Sequence, residues 1–346
     1  FVEEIMEAPV GMEHPFHYRN KAQFPVGMDK NGRLIAGFYA GRTHTIIENR
    51  DCALGVAENK IVLDIVLDFC TEKKIPAYDE TTGKGLLRHV LIRKGFSTGQ
   101  IMVCLILNGS SFAAEQELAD RLFEKVPGMT SFSVNSNTER TNVIMGSKTR
   151  TIRGKDRIED TIGGLVFTIS PQSFYQVNPV QTEKLYAKAI ELAGLTGKER
   201  VIDAYCGIGT IGLIASDKAK EVVSVELNPD AVKDAIVNAK RNGIRNVRFY
   251  RNDASVFMRQ MADEGESADV VFMDPPRSGS DEKFLSSVVT LCPKRIVYVS
   301  CEPTTLARDL KYLTKHGYRA VTAVPFDMFP ATEHVEVVCC LHRVNS

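Results

Sequence analysis

The sequence predicts an α/β protein, with a Rossmann-like, doubly wound parallel sheet over residues 161–346. A mixed α/β domain over residues 1–160 precedes it. Three observations carry that expectation. Between residues 201 and 300, short apolar runs alternate with helical patterns, as in parallel strands joined by crossover helices. A Gly-x-Gly-x-x-Gly turn, Gly207 to Gly212, follows the first of those strands and opens the next helix. A chain of 346 residues is also long for a single hydrophobic core.

In the first domain, residues 99–107 read as a strand closed by Asn108-Gly109 turn chemistry. Residues 113–125 carry a short helical period. Phe132-Ser133-Val134 and Asn142-Val143-Ile144-Met145 are strand-like. Three basic runs stand out. One is Arg140, Lys148, Arg150, Arg153, Lys155 and Arg157; another is Lys84, Arg88, His89, Arg93 and Lys94; the third is Tyr18-Arg19-Asn20-Lys21. Each alone is ordinary solvated surface. Three in one domain of a chain with zero formal net charge point to an RNA-binding face.

The second domain opens on a helix at 179–193, with Asn178 placed to cap it, Pro179 at its first position and Gly194 at its end. Strands follow at 201–205, 221–226, 247–250, 269–274 and 295–300. Helices lie between them and at 303–316, and strand-like runs close the chain at 318–324 and 335–342.

Composition sets bounds. Apolar content of 44% and charged content of 25% are those of a globular protein. No run approaches the roughly 18 apolar residues of a membrane span, and the first residues have no signal-peptide pattern. The chain starts on Phe1 rather than methionine, so it is expected to begin partway into its gene product. Eight cysteines show no Cys-x-x-Cys spacing, which suits reduced, mostly buried thiols in a cytoplasmic protein.

The glycine turn alone admits either a nicotinamide dinucleotide or S-adenosylmethionine. Glu226, at the end of the second strand, suits ribose hydroxyls in both. Asp203, just before the turn, suits a cofactor with a cationic amino-acid end, and Asp253, after the third strand, suits an adenine edge. Neither is needed by a pyrophosphate. Asp274-Pro275-Pro276-Arg277 ends the fourth strand. Its prolines cannot donate backbone hydrogen bonds, so the strand stops there in a stiff loop that presents Asp274. Together these favour methyl transfer over hydride transfer.

Cys301 comes at the end of the fifth strand, immediately before the helix begun by Pro303-Thr304-Thr305. A helix N-terminus lowers a thiol pKa toward the reactive thiolate, and Arg308, one turn in, adds charge there or binds phosphate. Glu336 lies among Val335, Val337 and Val338. Partial burial would raise its pKa and suit a general base. Glu333 and His334 are the rival bases.

These motifs occur in the order Phe174-Tyr175-Gln176-Val177-Asn178, Asp203-Ala204-Tyr205-Cys206-Gly207, Asp274-Pro275-Pro276-Arg277, Ser300-Cys301-Glu302-Pro303, Leu306-Ala307-Arg308-Asp309 and Thr332-Glu333-His334-Val335-Glu336. That order resembles the RNA 5-methyluridine methyltransferases, and within them the 23S ribosomal RNA enzymes more than the tRNA one. The resemblance implies a class I S-adenosylmethionine-dependent methyltransferase. Cys301 would attack uracil C6 and Glu336 would remove the C5 proton. Gln176, Tyr205, Glu226 and Asp274 match the family's S-adenosylmethionine contacts, with Gly207 in the turn and Asp203 and Asp253 added from the reading above. Phe174 matches a residue that stacks on the target base, and Arg277 and Arg308 fall on the substrate side. The expected partner is RNA, with 23S rRNA ahead of tRNA, and the expected state is a monomer. A scaffold that keeps the fold without the chemistry is the non-enzymatic alternative.

Many relatives also carry an N-terminal TRAM domain and a four-cysteine iron–sulfur site. Cys52, in Ile46-Ile47-Glu48-Asn49-Arg50-Asp51-Cys52, resembles that site's last ligand, and the other three would fall upstream of Phe1. A cluster needs four thiolates, so none is expected in this chain.

Overall fold

The computed structural model describes residues 4–344, and these divide into two compact units. One comprises residues 16–161 and 168–172. The other comprises the residues up to 15, then 162–167, then everything from 173 onward. The main division falls near residue 161. Residues 4–15 belong with the C-terminal unit, because their backbone pairs there. Met6 bridges to Ala323 and Val10 to Phe326, and Glu7 N–H and Val10 N–H donate to the carbonyls of Ala323 and Pro325 at 2.9 and 2.8 Å. Nothing in the composition of those residues marks them as an edge segment.

In the N-terminal unit, β1 (Lys21–Met28), β2 (Leu34–Tyr39), β3 (Ile46–Glu48), β4 (Leu87–Lys94), β5 (Ile101–Leu107), β6 (Met129–Ser136) and β7 (Lys148–Gly154) make one sheet among the described residues, ordered β3-β2-β1-β4-β5-β6-β7. Neighbours are antiparallel except β5 and β6. That parallel pair needs a crossover, and α2 (Glu115–Lys125) supplies it. Together with α1 (Glu58–Glu72), α2 covers one sheet face. Val62, Val66 and Phe69 of α1 and Leu118 and Leu122 of α2 bury against Val90, Ile92, Val103 and Leu105. Their three- and four-residue spacing is the apolar stripe of a surface helix.

The strand expected at 142–145 is not formed. Ile144 and Met145 instead pack on Leu91, Cys104 and Ile106, while Asn137 Nδ2 donates to the carbonyls of Val143 and Ile144 at 2.7 and 2.9 Å. Ile144 and Met145 are thus partly buried without a ladder, Val143 stays exposed, and a side-chain amide takes the carbonyls of the run. A hairpin of β8 (Ile158–Ile162) and β9 (Leu165–Ile169) follows. Its turn, Gly163-Gly164, has φ of 59° and 75°, the positive pair that a tight hairpin favours.

The C-terminal unit runs α3 (Pro179–Ala193), β10 (Arg200–Ala204), α4 (Thr210–Ala215), β11 (Glu221–Glu226), α5 (Pro229–Arg241), β12 (Val247–Arg251), α6 (Ala254–Asp263), β13 (Val270–Met273), α7 (Glu282–Leu291), β14 (Arg295–Ser300), α8 (Pro303–Lys315), β15 (Tyr318–Phe326) and β16 (Glu336–Arg343). The sheet order among the described residues is β12-β11-β10-β13-β14-β16-β15. The order reverses between β10 and β13, and open α/β sheets bind ligands outside the strand ends at such a point. Side chains of Asn178, Asn228, Asp253, Asp281 and Glu302 cap α3, α5, α6, α7 and α8, with proline opening three of them.

The expectation of an all-parallel sheet is corrected at one end. β16 runs antiparallel to both β14 and β15. The link 327–335 is too short for the crossover of a dozen or more residues that a parallel return requires. This reversal brings the start of β16 back to the strand ends where Cys301 lies.

Candidate active site

The site collects at the C-terminal ends of β10, β11, β13 and β14 and at the beginning of β16. At β10, Tyr205 turns the chain with φ of 69°. Its ring lies 5.2 Å from that of Phe284, and its hydroxyl is 3.4 Å from Ser280 Oγ. Gly209, with φ of 85°, then starts α4. A Cβ on Gly212 would stand 2.7 Å from Asp203 Oδ2 and 2.8 Å from Ser224 Oγ, so only glycine lets α4 settle onto the strands here. Glu226 holds the turn with both oxygens, accepting from Gly207 N–H at 3.0 Å and Asn228 N–H at 2.7 Å. A carboxylate has about four lone-pair sites, so acceptor capacity remains for ribose hydroxyls.

Asp203 lies at the end of β10, below the turn. It is 1% exposed and accepts from Gly212 N–H at 2.8 Å, with burial pushing its carboxyl up to about 7. It anchors the glycine turn from beneath. Asp253 is exposed and caps α6 by accepting from Val256 N–H at 3.1 Å. Its place after β12 leaves it on the rim beside the turn. Gly207 has no atom within 4 Å of where a Cβ would stand, so the turn is open above. Open glycine backbone, a bidentate carboxylate at the second strand and Tyr205 beside them fit S-adenosylmethionine.

Cys301 and Glu336 meet through sheet register. Ser300, the last paired residue of β14, stands opposite Val337 of β16, so Cys301 leaves β14 next to the start of β16 at Glu336, and Glu336 acts electrostatically on the thiol. Glu336 is 4% exposed, and burial, then Asp274, pushes its carboxyl up to about 8. Asp274 follows β13 and is raised to about 7 by burial. The rivals Glu333 and His334 are both exposed.

The thiol expectation is overturned. The Cys301 pKa is raised, first by burial, then by Glu336 and Asp274, with Arg277 opposing them. The helix N-terminus does not offset this because Glu302 occupies it. That carboxylate accepts from Thr304 N–H at 3.3 Å and Thr304 Oγ1 at 2.7 Å, directing a negative group at the amides that would otherwise favour thiolate.

Arg308 Nη2 donates to the carbonyls of Ser278 and Ser280 at 3.0 and 2.9 Å, and its Nε donates to Asp309 at 2.8 Å. Asp309 in turn accepts from Ser280 N–H and Tyr298 O–H, both at 2.8 Å. The pair clamps the loop after Asp274-Pro275-Pro276, while the Arg308 side chain stays exposed. Arg277 on that loop is exposed, and its carbonyl accepts from Thr305 Oγ1 at 3.1 Å.

Phe174 is 70% exposed, as a residue meant to stack on a base would be. Behind it, Asn178 does more than cap. Its Nδ2 donates to Met328 O at 3.0 Å, and Gln181 Nε2 donates to Asp327 O at 3.2 Å. The first turn of α3 thus fixes the lead-in to Glu336. Sequence reasoning does not find Tyr186. It is 4% exposed, accepts from Thr210 Oγ1 at 3.5 Å, and its phenol is pushed up by burial, then by Asp274. An aromatic residue on a helix face carries no sequence signal of such a place.

The basic runs of the N-terminal unit are largely spoken for. Arg150 makes a two-pronged pair with Glu115 at 2.8 and 2.9 Å. Arg153 pairs with Asp120 and lies over the Phe123 ring. Arg140 donates to Thr82 O, and Arg88 donates to the carbonyls of Asn137 and Glu139. His89 is buried and pushed down to about 4, Arg93 is buried, and Lys94 pairs with Glu58 at 2.6 Å. Lys21 sits opposite Arg93 and is pushed down to about 7 by burial, then by Arg93 and Arg19. Lys148 and Lys155 are exposed. Neutralising Lys148 and Lys155 should therefore flatten the salt dependence of RNA binding, by about 0.7 in log–log slope for each phosphate left unneutralised. Neutralising Arg150 and Arg153 should leave that slope nearly unchanged. Binding titrations between low and moderate salt check both.

Among the described residues, no group of three or more metal-ligating side chains comes together, and no helix is long and apolar enough to cross a membrane.

Residues 132–344 match the tRNA (uracil-5-)-methyltransferase family. An RNA methyltransferase of Caldanaerobacter subterraneus subsp. tengcongensis is 48% identical over 335 residues, covering 97% of this chain and 74% of the relative. One of Halalkalibacterium halodurans is 48% identical over 336 residues, covering 97% and 73%. Among solved structures, the Pyrococcus abyssi tRNA (uracil-54, C5)-methyltransferase in complex with S-adenosyl-L-homocysteine is similar at a TM-score of 0.82 and 26% identity, over 96% of this chain and 78% of that one.

Proposed function

Because the chain belongs to the tRNA (uracil-5-)-methyltransferase family and is an S-adenosylmethionine-dependent RNA uracil-C5 methyltransferase, we propose that Cys301 and Glu336 effect the transfer through a covalent adduct. The observation that supports this is the β14–β16 register, which pairs Ser300, just before Cys301, with Val337, just after the buried Glu336. S-adenosylmethionine, when bound, supplies an electrophilic methyl group. Gln176, Tyr205, Glu226 and Asp274 would hold it, with Asp253 on the adenine side.

Uracil C5 is a weak nucleophile until the ring is saturated. Cys301 Sγ bonds to C6, the C5–C6 π electrons move to make an enolate, and C5 becomes able to take the methyl group. Glu336 then removes the C5 proton, the C5–C6 double bond re-forms, and Cys301 leaves as thiolate. A carboxyl pushed up to about 8 is a stronger base than an exposed one, which suits a weakly acidic C–H. The raised thiol pKa means that Cys301 must be deprotonated as substrate arrives, and the adjoining carboxylates are the acceptors at hand. The target base has to leave its stack to reach Cys301, and Phe174 offers the exposed ring to receive it. The N-terminal unit contributes RNA contacts through its exposed lysines. The enzyme acts in the cytoplasm as a monomer.

Uridine in 23S rRNA is the preferred target, on the motif resemblance. Transfer RNA is the second reading, favoured by the similarity to the archaeal tRNA (uracil-54, C5)-methyltransferase. Intact-mass analysis after mixing the protein with S-adenosylmethionine and 5-fluorouridine-substituted RNA decides between them. Fluorine at C5 cannot be removed as a proton, so the protein should be trapped through Cys301. Trapping by 23S rRNA fragments and not by tRNA supports the first target, and the reverse supports the second. An adduct on another residue would overturn the nucleophile.

A further inference from the structure

One face of the N-terminal sheet is apolar and covered by α1 and α2, and the other carries charge. Val90 and Ile92 of β4 bury toward the helices, so strand alternation turns Arg93 to the opposite face. Lys21, the first residue of β1, stands directly opposite Arg93 in the antiparallel ladder, which puts both side chains on that face. Arg19 lies two residues before Lys21. The register thus joins two basic runs, 18–21 and 84–94, into one cluster of three cations. We propose that Arg19 and Lys21, backed by the buried charge of Arg93, form a site for a backbone phosphodiester of the RNA substrate. This site rests on the RNA reading above and adds a contact to it.

Cations without an acid are costly to keep together. Like charges directly opposite in a sheet repel, and a protein interior screens that repulsion poorly. Arg93 is 2% exposed, and its Nη2 donates to a neutral acceptor, the Pro171 carbonyl, at 3.4 Å. Lys94, the next residue, alternates to the helix face and takes Glu58 of α1. Among the described residues, neither Arg19 nor Lys21 has a carboxylate partner. Burial, then Arg93, then Arg19, pushes the Lys21 ammonium down to about 7, as expected of a cation set among cations. An anion placed here removes the repulsion. Arg19 and Lys21 are only partly buried, so they can reach it, while Arg93 supplies a fixed charge from behind. Their backbone is held beforehand. Arg19 N–H donates to Leu54 O at 2.9 Å, and Lys94 N–H donates to Asn20 O at 2.8 Å. Tyr18 and Asn20, which alternate with the two cations, are buried. A site already rigid loses little entropy on binding. The planar fork of an arginine matches two phosphate oxygens, and a lysine adds a point charge.

The test is Lys21→Gln in the full chain. Two quantities are read: affinity for a short single-stranded RNA across a range of chloride salt, and the melting temperature with and without inorganic phosphate. Losing one phosphate contact should lower the log–log slope of affinity against salt by about 0.7. In chloride alone the melting temperature should rise, because the charge opposing Arg93 is gone. Inorganic phosphate should stabilise the wild type more than chloride does at equal ionic strength, and that advantage should shrink in the variant. Lys21→Arg keeps the charge and should keep the slope. A residue that only packs gives the opposite set, a lower melting temperature in Lys21→Gln with the slope unmoved, and that result overturns the proposal. Stabilisation by phosphate with an unmoved RNA slope would mean a site for a free anion only, and it overturns the proposal as well. Should Lys21→Gln not fold, Arg19→Gln must lower the slope by the same amount, and an unmoved slope there refutes the site. If the slope falls as expected but the wild-type protein forms no 5-methyluridine, the phosphate site stands and the functional reading fails.

Discussion

Cys301→Ala abolishes methyl transfer while S-adenosylmethionine affinity stays intact. The loss should be at least about 10⁴-fold in kcat, equivalent to about 5 kcal/mol of transition-state stabilisation. Without sulfur at C6 the ring remains aromatic-like and C5 cannot attack. Alanine fills most of the thiol's volume, and the side chain is only partly buried, so folding should be little disturbed. Cofactor affinity is spared because the glycine turn is braced by Asp203 and Glu226, neither of which touches the thiol. Tritium transfer to RNA and calorimetric titration of the cofactor measure the two quantities. Substantial turnover in the variant would end the covalent mechanism.

Glu336→Gln stops the cycle one step later. The amide has the carboxyl's shape but cannot accept the C5 proton, so methylated RNA stays bonded to Cys301. Turnover should fall by about 10²–10⁴-fold, and a protein–RNA species should survive denaturing electrophoresis carrying one extra methyl by mass. Fold stability should not suffer. A carboxyl whose folded pKa lies above its unfolded one stabilises the fold only below that unfolded value and loses this as pH rises through the folded one. With Glu336 raised from 4.5 to about 8, the window runs between those two values, and the glutamine variant should gain on the wild type across it. Rapid product release by the variant would remove Glu336 as the base.

The chemistry of this site is more legible in the sequence than its geometry. Cys301, Glu336, Asp274 and the glycine turn can be found because their residue types are unusual at strand ends. The closeness of Cys301 to Glu336 depends on β16 running antiparallel, which only the brevity of 327–335 hints at. Asp203 and Arg308 show what a motif does not reveal: each also bonds to backbone groups of a neighbouring loop. The thiol misleads because the cap on α8 is itself an acid, Glu302. The basic run at 140–157 loses most of its meaning to Glu115 and Asp120 on α2, partners some thirty residues earlier that no local window couples to it. Tyr205, Glu226 and Asp274 lie at or just past strand ends, while Phe174 and Gln176 lie in the segment leading into α3.

The backbone of residues 4–10 lies along β15, and this bears on how the catalytic unit can be handled. β15 is the outermost strand on its side of the sheet, and a bare outer strand is a template for other chains. The segment that satisfies it is encoded more than 150 positions upstream, across the whole N-terminal unit. A fragment cut at residue 162, where the sequence suggests a clean boundary, would keep every catalytic side chain and lose that cover. Such a fragment should self-associate as its concentration rises, as seen by light scattering. Grafting residues 4–12 onto it through a flexible linker should restore a monodisperse protein. The catalytic unit is thus completed by the earliest part of the chain, and sequence-adjacent truncation is the wrong way to isolate it.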